Sequence, residues 1–163
     1  MSKEEVNRRQ FLQTSSLALA GIAVIGGAGT TLLVPTRAWA LSTTTLDRHT
    51  AMTLVKMCRY LYPHAMLSDV YYANVVQALD KKAQQDRALA ELLRDGVAAL
   101  DAVYPVQWLE LSEGYKLKAL QHLEATPFFQ TVRSFMVGSS GLYNQPLVWR
   151  YFGYEGPAWE FGG

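Results

Sequence analysis

The chain holds one cysteine, Cys58, so no intramolecular disulfide can form in any redox compartment. The same shortage excludes a Cys-x-x-Cys-His haem attachment and the thiolate set of an iron-sulfur cluster. Histidine is scarce as well. His49, His64 and His122 are scattered, and none makes the close helical pairing with an acid that a zinc site needs. No basic tract offers a footprint for nucleic acid, and there is no acidic tail. Gly27-Ala28-Gly29 lacks both a preceding strand and a third glycine, so it does not make a dinucleotide loop. No catalytic, cofactor-binding or metal-ligating residue is therefore assigned.

What is present begins at the amino terminus. Asn7-Arg8-Arg9-Gln10-Phe11-Leu12 is followed by an apolar zone from about 17 to 34 and then by Ala38-Trp39-Ala40. Arg8, Arg9, Phe11 and Leu12 have the layout of a twin-arginine export signal, and the small residues Ala38 and Ala40 offer a peptidase site after position 40. Gly21, Gly26, Gly27 and Gly29 keep the apolar zone mild. A spanning helix needs about 20 predominantly apolar residues, and a glycine costs about 1 kcal/mol in a helix interior. Residues 1–40 thus read as a cleaved signal and 41–163 as the mature domain; an uncleaved anchor is the alternative. Export of folded cargo suits a protein that must bind a cofactor or a partner first, and the partner is the reading the residues favour.

The mature part is long enough for one small domain with its own core. Losing Lys3, Arg8, Arg9 and Arg37 together with Glu4 and Glu5 moves the net charge from slightly positive to slightly negative. From Leu46 to about Val137 the pattern predicts consecutive helices, about five in all, and an all-α fold. Ala51, Leu54, Val55, Cys58, Leu61 and Tyr62 recur at helical spacing until Pro63 stops them. Cys58 reads as a core position, with a reactive thiol or an intermolecular bridge less favoured. Ser68 is a candidate cap for a helix whose Tyr72, Val75, Val76, Leu79 and Ala83 share a face. The strongest amphipathic stripe is Leu89, Leu92, Leu93, Gly96, Val97, Leu100 and Val103. Trp108, Leu109 and Leu111 form an apolar patch in the connection that follows. Ser112 is the candidate cap of a helix lined by Leu117, Leu120 and Leu123, and Thr126-Pro127 opens one with Phe128, Val132, Phe135 and Met136.

After Gly138 the composition changes. In the tail, 138–163, aromatics alternate with glycine and proline, which suits neither a long helix nor a regular strand. Tyrosine and tryptophan are enriched at interaction hot spots. Tyr143, Trp149, Gly153, Tyr154, Gly156, Pro157 and Trp159 are accordingly the candidate partner-interface residues. Packing back on the chain's own helices is an equal alternative, and one face can turn inward while the other turns outward. His64, after Pro63 at a helix end, is expected to bond nearby backbone and fix the turn.

Several of these motifs together resemble a known family. They are the signal, the Tyr62-Pro63-His64 corner with Asp69 and Tyr72 behind it, Thr126-Pro127-Phe128-Phe129, and Gly141-Leu142-Tyr143 through Trp149 to Gly153-Tyr154-Glu155-Gly156-Pro157. They resemble the small subunit of membrane-bound gluconate 2-dehydrogenase, the subunit 3 family, over most of the mature chain. The resemblance implies a non-catalytic accessory subunit of a periplasmic sugar, polyol or sugar-acid dehydrogenase. A large FAD-dependent flavoprotein of the glucose-methanol-choline type would oxidise the substrate, and a c-type cytochrome with haem c would pass electrons on. The small subunit would carry the flavoprotein through the twin-arginine translocon, with the complex resting at the membrane on the periplasmic side. An independent periplasmic helical enzyme or ligand-binding domain is the alternative.

Overall fold

Capping and helical spacing set most of the element boundaries in a computed structural model that describes residues 30–33 and 40–155. Asp47 caps α1, Arg48–Leu61, by accepting from the Thr50 amide at 3.0 Å and the Thr50 hydroxyl at 2.6 Å. Such a cap contributes about 1 kcal/mol. Burial opposes ionisation of Asp47, but the Thr50 bonds outweigh it and hold the carboxyl below its usual range. α1 ends one residue before Tyr62-Pro63, as proline requires.

Helix α2, Asp69–Gln85, and helix α3, Arg87–Asp101, are separated by Asp86 alone. That residue ends one helix and caps the next by accepting from the Leu89 amide at 3.0 Å. A 3-10 turn at Trp108–Glu110 leads to α4, Glu113–Leu123, and α5, Pro127–Val137, follows. Thr126 caps α5 through its hydroxyl, with Pro127 in the first helical position. Ser68 and Ser112 do occupy cap positions, but neither side chain bonds the first turn.

The expected all-α class is what the chain adopts, with six helices among the described residues. The sixth, α6 at Pro146–Trp149, is a single turn inside the tail. A small antiparallel pair joins β1, Thr30–Leu33, to β2, Ala40–Thr43, with Thr30 opposite Thr43 and Leu33 opposite Ala40. Arg8, Arg9, Phe11, Leu12 and Ala38 lie outside the described residues, and Ala40 opens β2.

Helices α1, α2 and α3 pack on one another, and α5 closes the core against all three. Leu54, Met57, Tyr72, Val76, Leu93, Leu100 and Met136 are buried there. Gly96 permits the α3–α5 contact: a Cβ at this position would sit 2.0 Å from Cγ of Phe128. Trp108, expected only as a patch in a connection, is fully buried. Its ring nitrogen donates to the Lys116 carbonyl at 3.1 Å and its amide to Asp101 at 2.8 Å. Asp101 also meets His49 Nε2 at 2.6 Å, so one carboxylate ties the start of α1 to the end of α3.

The inward face of α4 differs from expectation. Lys116, Ala119, Leu120 and Leu123 are buried, whereas Leu117 is 47% exposed. Trp108 draws the Lys116 side of the helix inward, and the Lys116 ammonium reaches back toward Glu113 at 3.9 Å. In α5, Phe128, Val132 and Met136 form the buried stripe while Phe135 is only partly covered. Among the described residues no helix is long and apolar enough to cross a membrane.

Candidate functional site

The tail leaves α5 at Gly138 and forms a 3-10 turn, Leu142–Asn144, then α6. Leu142 and Val148 are fully buried and anchor it. Gln145 fastens it to α2 from both ends of its amide: Nε2 donates to the Tyr71 carbonyl at 2.9 Å, and Oε1 accepts from Asn74 at 3.1 Å. Trp149 is half-buried, and its ring nitrogen donates to the Tyr143 carbonyl at 2.8 Å.

Gly153 ends this segment with φ at +68°, a left-handed conformation that favours glycine. The Tyr154 amide bonds back to the Trp149 carbonyl at 3.1 Å, and the two rings meet edge-on at 5.2 Å. Backbone bond and ring contact together make the glycine stop that commonly closes a helix end. Three expected interface residues, Trp149, Gly153 and Tyr154, thus build the tail's own structure. Gly156, Pro157 and Trp159 lie outside the described residues.

Tyr143 is half-buried and central. Its hydroxyl is 2.8 Å from His64 Nε2, and its ring meets those of Tyr62 at 5.9 Å and Phe152 at 5.7 Å. Burial, helped by the neighbouring Tyr62 and Tyr72, raises its pKa. His64 therefore does not do what was expected of it: its ring bonds a side chain 79 residues away and stacks edge-on against Phe152 at 5.0 Å. The corner itself is fixed by Tyr72, whose hydroxyl donates to the Tyr62 carbonyl at 2.7 Å and accepts from the His64 amide at 3.3 Å. Nothing in the sequence pairs position 64 with 143; only the fold does.

The outer side of the same segment is apolar. Leu147 is 63% exposed, and Tyr151, Phe152 and Tyr154 are turned to solvent. Arg150 lies over the Tyr151 ring at 5.0 Å and donates to its hydroxyl at 3.2 Å. The hydrogen bonds that the guanidinium donates to the Tyr151 and Tyr71 hydroxyls raise its pKa. Large exposed apolar patches mark interaction sites.

Two other features bear on function. Cys58 is buried in α1 and desolvation pushes its thiol up to about 12, against a slight opposing backbone bond. It sits in the core, as its spacing indicated. An open groove of about 740 Å³ runs beside α5, lined by Lys82, Gln130, Thr131, Ser134, Phe135 and Ser140 among others. Among the described residues, no three of His, Cys, Asp and Glu gather into a group that could hold a metal ion.

No family model matches the chain, and no curated protein or solved structure matches it.

The most consequential residue that sequence reasoning missed is Asp80. It is 2% exposed, and its carboxylate takes four bonds from the entry segment: from the Thr44 amide at 2.8 Å and hydroxyl at 3.1 Å, the Thr45 amide at 3.0 Å and the Leu46 amide at 2.7 Å. The available signal was an acid beside Leu79, Val76 and Ala83, on the buried side of an amphipathic helix.

Proposed function

We propose that this chain is an accessory subunit that binds a redox partner and escorts it out of the cytoplasm. It resembles the small subunits of the gluconate 2-dehydrogenase subunit 3 family, so the partner is an FAD-dependent sugar, polyol or sugar-acid dehydrogenase of the glucose-methanol-choline type. A c-type cytochrome completes the complex at the periplasmic side of the membrane. The substrate chemistry belongs to the flavoprotein, and this chain contributes a rigid contact surface and the export signal. A partner that binds only the folded state also stabilises that state by mass action.

The observation that carries this reading is the division of the tail. Leu142 and Val148 are fully buried, while Leu147, Phe152 and Tyr154 of the same short segment are exposed. Aromatic side chains held rigid in this way lose little conformational freedom when a partner covers them. Replacing Arg8 and Arg9 by lysine is expected to hold both this chain and the flavoprotein's activity in the cytoplasm, as measured by cell fractionation. Flavoprotein activity that still reaches the periplasm would sink the escort role.

The groove beside α5 favours a second reading, a ligand-binding helical domain. Lys82 and several hydroxyls there face an open volume. A mature chain that is soluble and monomeric by itself, and that turns over or binds a small polar ligand, would decide for this alternative.

A further inference from the structure

The exposed apolar side chains of the tail continue onto a second part of the chain. Phe152 packs edge-on against His64 at 5.0 Å, and Met66, two residues on in the same turn, is 53% exposed. On the other side, Tyr151 meets Tyr71 of α2 at 5.8 Å. The corner after α1, the first turn of α2 and the segment 147–154 therefore present one surface.

Its charges are unequal. Arg59 already has Asp69 at 3.5 Å and the Leu67 carbonyl at 2.5 Å. Arg150 has only tyrosine around it, with a hydroxyl at 3.2 Å and a ring beneath, and no carboxylate within ion-pair distance among the described residues. Its guanidinium is held in place by that ring and by bonds to the Tyr151 and Tyr71 hydroxyls, and the donors these tyrosines do not take can meet a planar anion. Such a surface is complementary to an apolar protein segment that brings a carboxylate to Arg150.

Resting on the accessory-subunit reading, we infer that the flavoprotein docks on this composite surface with an acidic residue paired to Arg150 and apolar side chains seated on Leu147, Phe152 and Met66. The contact made by the tail alone is then only half of the interface.

The test uses the chain co-expressed with an FAD-dependent dehydrogenase of the glucose-methanol-choline type from the same organism, with the amount of flavoprotein retained and the association rate measured at low and high salt. Arg150→Glu is expected to weaken retention by about tenfold or more, and Arg150→Gln to remove most of the salt dependence. Leu147→Ser with Met66→Ser should also weaken retention by about tenfold, while Leu117→Ser, an exposed leucine on α4, should not. Melting temperatures of all four should match the parent, since each side chain is exposed. Parent-like retention by Arg150→Glu and by the double variant would overturn the surface while leaving the accessory role standing. Failure of the parent chain itself to retain the flavoprotein would overturn both. A change in self-association of the isolated chain on Arg150→Glu would assign the surface to a second copy and overturn the inference too.

Discussion

The two irregular ends of the domain are fastened to the same helix by opposite chemistry. The entry segment, Thr44 to Leu46, is held on α2 by one buried carboxylate that accepts four bonds. The exit segment is held on α2 and α5 by Leu142, Val148, Gln145 and a cluster of rings. A buried carboxylate is directional and highly cooperative, because removing it strands every donor at once. Apolar and aromatic anchoring is graded, and a ring buried on one side still offers its other side to solvent. The entry is thus built to stay fixed, and the exit to be fixed and exposed together.

The sharpest way to break this contrast is Asp80→Ala. It leaves three backbone amides and a hydroxyl without their acceptor, and the expected loss is about 3–5 kcal/mol in a denaturant titration. Amide exchange should rise first at 44–46 and leave 146–154 protected. Uniform exchange over both segments would show that the ends are not independent.

Val148→Ala should cost less, about 2 kcal/mol, from two lost methyl groups and a small cavity. Protection should now fall in 146–154 while the entry segment keeps its own. Below that comes Gly153→Ala, expected to cost about 1 kcal/mol, because the left-handed backbone disfavours a Cβ. The effect should be confined to the Trp149–Tyr154 contact, read from tryptophan fluorescence. A spread into α5 would mean that the stop supports the core as well as the tail.

At neutral pH Cys58 gives the smallest and most local readout. With its thiol raised from 9.0 to about 12, the folded state keeps the proton over a range where the unfolded chain loses it, so stability should fall as pH rises through that window. A thiol reagent at neutral pH should label neither the parent nor Val148→Ala in their folded states. Labelling of the Val148 variant would show that freeing the exit opens the core.

How much of this was legible beforehand follows from the kind of signal each part carries. The long helices were legible, since Pro63, Thr126-Pro127 and the stripe around Leu93 act through local sterics and periodicity. Register within a helix was less so: three-and-four spacing admits both the Leu117 and the Lys116 faces of α4, and Trp108 decides between them. The tail's aromatic composition marked it for contact. Composition could not say that Leu142 and Val148 face inward while Leu147 and Phe152 face out.

The amino-acid order alone set the helical class, the stop at Pro63, the cap at Thr126 and the core placement of Cys58, all of which depend on a few neighbours along the chain. Tertiary structure alone brought His64 to Tyr143, Asp80 to the entry segment and Tyr151 to Tyr71. These pairings join residues far apart in sequence or depend on what packs beneath them, and no local periodicity encodes a partner that arrives only when the helices have packed.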